Sequence, residues 1–153
     1  MKIEKTFTVA ASREQVWKVI TSPELIAPCI PGCQSVEVTG PGAYKAEVKV
    51  QVGPIKAGFK LDVETTEERP PEYSAYTTRG EEGGKASRVS ADSTLVLKRL
   101  DDDHTEVTYA SEISVVGRLG KFGLGIMKKK ADAMGEQFVQ ALRERVENAQ
   151  GSS

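Results

Sequence analysis

Between Tyr44 and Val63 the apolar residues alternate without a break around a single turn, Gly53-Pro54. Tyr44, Ala46, Val48, Val50 and Val52 share one phase, and Ile55, Ala57, Phe59, Leu61 and Val63 resume it. A period of two over this length describes strands with one buried face, and the Gly-Pro pair joins them as an antiparallel hairpin. In the last third the period changes. Leu119, Phe122, Ile126, Met127, Met134, Phe138, Ala141, Leu142 and Val146 follow helical spacing, which predicts one amphipathic helix over 117–148. At ~1.5 Å per residue it would reach roughly 45 Å, enough to cross a whole sheet. A chain with this switch must bury a sheet face beneath a helix.

The other elements fit that scheme. Lys2 to Val9 reads as a strand with Ile3, Phe7 and Val9 inward. Ser12 and Gln15 have capping-box spacing before Val16, Trp17, Val19 and Ile20. Ser22-Pro23 opens a second short helix, which Pro28 stops. Further strands follow at Cys33 onward, at Tyr73 to Arg79, through Val89, Ala91, Leu95 and Leu97, and through Val107, Tyr109, Ile113 and Val115. Gly80-Glu81-Glu82-Gly83-Gly84 reads as a flexible loop. The expected class is α+β: a curved antiparallel sheet of six to seven strands wrapped around a long C-terminal helix, with two short helices after the first strand. No repeat or linker divides it, so residues 1–149 form a single domain and 150–153 a disordered C-terminus. A sheet wrapped on a helix encloses volume, and volume that side chains leave unfilled is an apolar pocket.

Composition narrows the function. Lys plus Arg is 21 and Asp plus Glu is 22, giving a net charge of -1, which argues against nucleic acid as a partner. No apolar run has the length of a membrane span, and MKIEKTFTV lacks a signal-peptide core, so the expected location is the cytoplasm. Two cysteines and one histidine cannot complete a structural zinc site or a four-thiolate cluster. His104 sits in the polar turn Asp101-Asp102-Asp103-His104-Thr105, where no reacting partner is in view. Asp62 and Glu64 should face water, and Glu81-Glu82 falls in the expected loop. We therefore assign no catalytic residue, no metal ligand and no covalent cofactor.

Several segments together carry a resemblance. They are Arg13-Glu14-Gln15-Val16-Trp17, Ser22-Pro23-Glu24-Leu25, Cys29-Ile30-Pro31-Gly32-Cys33, Val52-Gly53-Pro54-Ile55-Lys56-Ala57 and Val116-Gly117-Arg118-Leu119. With the element order, they resemble the carbon monoxide dehydrogenase G-subunit family of the START-like (SRPBCC, helix-grip) superfamily of hydrophobic-ligand-binding proteins. The resemblance implies a non-enzymatic accessory protein serving a molybdenum-containing carbon monoxide dehydrogenase or related hydroxylase. It also implies a lipophilic non-covalent ligand, best a respiratory quinone or similar lipid. Family members often carry a C-terminal extension that reaches the membrane, and this sequence stops soon after Asn148. Two other classes remain open: an assembly factor with no ligand role, and a small cyclase- or hydrolase-type enzyme drawing on Tyr44, Tyr76, Tyr109, Ser93 and Ser111.

The inner phase of the strands and the helix stripe nominate the cavity wall. They are Val48, Val50, Phe59, Leu61, Leu95, Tyr109, Ile113, Phe122, Ile126, Met134 and Phe138. Arg118, Lys121, Lys128, Lys129 and Lys130 form a basic, apolar stretch with no acid among them, and nominate a lip for a partner or for transient contact with anionic membrane at its inner face. Gly117, Gly120 and Gly123 recur every three residues. Three readings stay open for them: a loose gate, space cleared for a ligand or the sheet backbone, or a lead-in to a helix beginning near Leu124. Cys29 and Cys33 read either as packed thiols around a stiff Pro-Gly bend or as a redox pair. Trp17 is expected to be structural.

Overall fold

Val52 and Ile55 oppose each other across Gly53-Pro54, and Gly53, at φ +57°, takes the left-handed conformation the two-residue turn requires. The computed structural model that contains this hairpin describes residues 1–151, apart from the side chains at 85 and 149–151. The strands are β1 (Lys2–Val9), β2 (Cys33–Gly40), β3 (Ala43–Val52), β4 (Ile55–Arg69), β5 (Tyr73–Glu82), β6 (Ser87–Asp101) and β7 (His104–Gly117). The helices are α1 (Arg13–Ile20), α2 (Pro23–Ile26) and α3 (Leu124–Gly151). The seven strands form one sheet in the order β1-β7-β6-β5-β4-β3-β2, and every pairing is antiparallel. Strands β2 to β7 are a meander. β1 occupies the far edge beside β7, and α1 and α2 carry the chain from that edge to the other.

Local chemistry explains the helix starts. Ser12 Oγ accepts the Gln15 N–H at 3.2 Å, capping α1 as its spacing suggests. Val16, Val19 and Ile20 then sink into a core with Phe7, Val9, Leu97, Val107, Leu142 and Val146, and Trp17 packs against its edge. The C-terminal half of α3 is tied to the end of β1 and the residue that follows it. Arg143 Nε donates to the Thr8 carbonyl at 3.2 Å, and the Ala10 N–H donates to Glu147 at 3.1 Å.

Three expectations need correction. β5 continues to Glu82, so Gly80 to Glu82 are strand and only Gly83–Lys85 make the turn. Gly80 is there because a Cβ would run into the Leu61 side chain on the neighbouring strand. The long helix begins at Leu124 rather than Gly117, after a 3₁₀ turn at Leu119–Phe122. It also runs on to Gly151, so a terminus beginning at 150 is not irregular at its first two residues; the remainder of that stretch lies outside the described residues.

Of the readings for the glycine series, two apply at different positions. At Gly117 (φ +96°) a Cβ would collide with the Ala86 carbonyl oxygen, and at Gly120 it would lie 2.8 Å from the Val115 carbonyl oxygen. These two clear space for the sheet backbone. Gly123 (φ +88°) meets nothing within 4 Å and serves only to reverse the chain into α3.

Candidate functional site

A cavity of about 320 Å³ lies between the inner face of the sheet and the first half of α3. Its size falls at the lower end of ligand pockets, which span roughly 300–1,000 Å³. The strands contribute their inward residues and the helix contributes Met127, Lys130, Ala131, Met134, Gly135 and Phe138. Ile30 and Pro31 close the β2 side, and Met1 and Ile3 the β1 side. The Pro31-Gly32 bend is held by a 2.9 Å bond from the Lys49 N–H to the Gly32 carbonyl.

Of the residues nominated from the sequence, Val48, Val50, Phe59, Leu61, Leu95, Tyr109, Ile113, Met134 and Phe138 line this cavity. Phe122 and Ile126 do not. Phe122 packs on Val52, Ala57, Phe59 and Leu119, with its ring over the Gly53 turn. Ile126 is 52% exposed. The cause is helical phase: Leu142 is fully buried, and Ile126, sixteen residues upstream, is rotated by roughly 160° at about 100° per residue. Met127 takes the inward place instead. Residues the spacing did not nominate, such as Tyr44, Val63, Val89 and Leu119, also reach the wall. All but Leu119 share the strand phase already read as inward, so that phase was the available signal.

The basic stretch divides. Arg118 forms an ion pair with Glu82, whose side chain is 6% exposed, so it staples the end of β5 to the chain entering α3 instead of forming a lip. Glu82 is accordingly inward and buried, not a loop carboxylate. Lys130 lines the cavity. Lys121, Lys128 and Lys129 are exposed beside Leu124 and Ile126, which with Val116 are among the exposed large apolar side chains. Asp62 and Glu64 face outward, and His104 is not in the turn but opens β7, exposed, with Nδ1 2.9 Å from Asp101. That hydrogen bond from His104 holds the Asp101 carboxyl below its ordinary range. A larger concavity on the outer sheet face is lined by charged side chains such as Lys60, Asp62, Arg79 and Arg88, and is open to water.

Polar groups in the cavity are few. Ser93 and Ser111 hydroxyls are 2.8 Å apart, and Tyr76 OH donates to the Ile20 carbonyl at 3.0 Å. Burial pushes the phenols of Tyr44 and Tyr76 up, so both stay neutral across the physiological range. Tyr109 stacks obliquely on Phe138, ring centres 5.7 Å apart. Among the described residues, no three His, Cys, Asp or Glu side chains gather as a metal site.

Cys29 and Cys33 are free thiols, and each points at a backbone carbonyl, Leu25 at 3.6 Å and Ser35 at 3.5 Å. Burial raises both thiol pKa values, against a smaller opposing influence of Arg145 on Cys29. A raised pKa lowers the thiolate fraction at any pH below it, and the thiolate is the nucleophile. At pH 8, iodoacetamide should therefore alkylate both more slowly in the folded chain than in urea, with Cys33 ahead of buried Cys29. Labelling of Cys29 first, read by peptide mass spectrometry, would show an activated thiol.

A long helix laid across a seven-stranded antiparallel sheet over an apolar cavity defines the START-like (helix-grip) fold class. The solved structures agree. A conserved protein from Geobacillus kaustophilus superposes with a TM-score of 0.89 at 23% identity, covering 97% of both chains. A START superfamily protein from Mycobacterium smegmatis gives 0.78 at 17% identity, over 97% of this chain and 98% of its own. The Zhui aromatase/cyclase from Streptomyces sp. R1128 gives 0.69 at 18%, over 96% and 93%. These likenesses concern the fold. The particular family is set by sequence: the profile of the carbon monoxide dehydrogenase G subunit (CoxG) matches residues 6–147, and the chain belongs to that family. An uncharacterized 17.2 kDa protein of the melC2-rnhH intergenic region in Streptomyces lincolnensis is 34% identical over 95 residues. That match takes in 60% of this chain and 59% of the relative's length.

Proposed function

We propose that this protein is a non-enzymatic carrier that holds a lipophilic small molecule, best a respiratory quinone, in the cavity beneath α3. Its partner on this reading is a molybdenum-containing carbon monoxide dehydrogenase or related hydroxylase, as the family name suggests. The observation that carries the proposal is the cavity wall: aliphatic and aromatic side chains, with a few hydroxyls and Lys130 as the polar exceptions. Such a wall favours a molecule that water rejects. A carrier gives a redox enzyme in water a route to electron acceptors dissolved in lipid. Native mass spectrometry of freshly purified protein, followed by solvent extraction, tests this. A bound lipid supports the carrier, and a consistently empty, collapsed interior favours an assembly factor.

Delivery needs a meeting with the bilayer. No described helix is long and apolar enough to cross a membrane. The surface suited to peripheral contact is the start of α3, where Leu124 is 75% exposed and Ile126 52% exposed, in one stretch with the exposed Lys121, Lys128 and Lys129. Each lysine near an anionic surface contributes about 1 kcal/mol, screened by salt. Changing Lys121, Lys128 and Lys129 together to Gln should weaken binding to phosphatidylserine vesicles by roughly 100-fold at low salt. Affinity for detergent-delivered quinone should stay within about twofold, since none of the three lines the cavity. Wild-type protein that ignores anionic vesicles at low salt would leave delivery to protein contacts alone.

A further inference from the structure

A cavity for a wholly apolar molecule has no use for hydroxyls on its floor, yet strand register gathers them. Ser111 on β7 lies opposite Ser93 on β6, and Ser93 lies opposite Tyr76 on β5. In the adjacent inward row, Thr78 on β5 pairs with Val63 on β4, and Val63 with Tyr44 on β3. A hydroxyl band, interrupted at β4 by Val63, therefore runs over the inner faces of β7, β6, β5 and β3. Toward the start of α3 the wall turns apolar, with Val50, Phe59, Val89, Leu119 and Met127.

The band has hydrogen-bonding capacity to spare. Between Ser93 and Ser111 only one hydroxyl donates to the other, which leaves the second hydrogen without an acceptor among the described residues. Tyr44 is 7% exposed, lines the cavity, and its phenol has no hydrogen-bond partner among the described residues. The Tyr44 hydroxyl is not sealed off, so whatever fills the space beside it can accept its hydrogen. The ordinary role of such hydroxyls, bonding one another across strands, accounts for half of one pair and for none of Tyr44.

We propose that the band recognises a carbonyl or hydroxyl oxygen on the ligand, with Tyr44 and the Ser93–Ser111 pair as donors. The ligand then enters head first and leaves its apolar chain toward Leu119 and Met127. This rests on the carrier reading and adds to it the end of the molecule that is read. Tyr76, its hydrogen already given to Ile20, is left to accept a bond from a ligand hydroxyl.

The test compares two probes of one shape, 2-decyl-1,4-naphthoquinone and 2-decylnaphthalene, presented to the whole chain in the same detergent and measured by equilibrium dialysis. The wild type should prefer the quinone by about tenfold or more, the discrimination expected of one or two net hydrogen bonds. Ser93→Ala/Ser111→Ala and Tyr44→Phe should each cut quinone affinity by roughly fivefold while hydrocarbon binding stays within about twofold, which also shows the variants folded. Equal binding of both probes by the wild type overturns the band as a recognition site and leaves the carrier standing. Equal weakening of both probes in the variants also overturns it, since the hydroxyls would then act through shape. Binding of neither probe overturns the carrier and this inference together. A diazirine at the chain end should label Leu119 to Met127, and labelling of β5 to β7 instead would overturn the head-first orientation.

Discussion

Gly32→Ala should destabilise the protein by roughly 2–5 kcal/mol, the sum of left-handed strain and a forced backbone shift. Gly32 sits at φ +83°, and a Cβ there would run into the carbonyl oxygen of Lys49. That carbonyl belongs to β3 backbone, which cannot swing aside as a long side chain can. The Gly32 carbonyl accepts the Lys49 N–H at 2.9 Å, so displacing Gly32 also weakens the tie between the bend and the sheet. Pro31, its neighbour, forms part of the cavity wall. The variant should therefore lose quinone affinity along with stability. Urea unfolding followed by circular dichroism gives the first effect and equilibrium dialysis the second. Wild-type stability in this variant would mean the bend relaxes freely, and the stiffness of Cys29-Ile30-Pro31-Gly32-Cys33 would need another purpose.

Trp17→Ala should cost about 3 kcal/mol, the low end of the range for aromatic truncation because part of the ring is exposed. For a domain of this size that lowers the melting temperature by roughly 6–12 °C. Trp17 packs on the cluster holding Val16, Ile20, Leu142 and Val146, and it does not line the cavity. Its loss should loosen α1 against the C-terminal half of α3 and leave the binding wall in place. Any weakening of ligand binding should then follow the unfolded fraction as temperature rises. Normal melting with lost binding, read by scanning calorimetry beside dialysis, would place Trp17 in the pocket.

Much of the site was legible because a strand shows its inner face in its period. Val48, Val50, Phe59 and Leu61 reach the cavity for the reason their alternation suggests: the buried face recurs every second residue whatever the neighbours do. Helix phase is less robust. The stripe from Leu119 through Phe122 to Ile126 reads as one helix only if nothing interrupts it, and the 3₁₀ turn with Gly123 at φ +88° does. Each interrupted residue shifts the facing by about 100°, so Met127 replaces Ile126 at the wall.

By itself the sequence determined the class of fold, the order of elements, the capped start of α1 and the family, since all depend on local period, local chemistry and ordered motifs. Only the tertiary structure decided which residues meet across distance. Arg118 is a free cation in the sequence and a partner of buried Glu82 in the fold, because β5 and the end of β7 come together through β6. Ser93, Ser111 and Tyr44 are scattered polar residues along the chain. Antiparallel register alone places them in one band under α3, since pairing between strands, not spacing within them, decides what lies side by side.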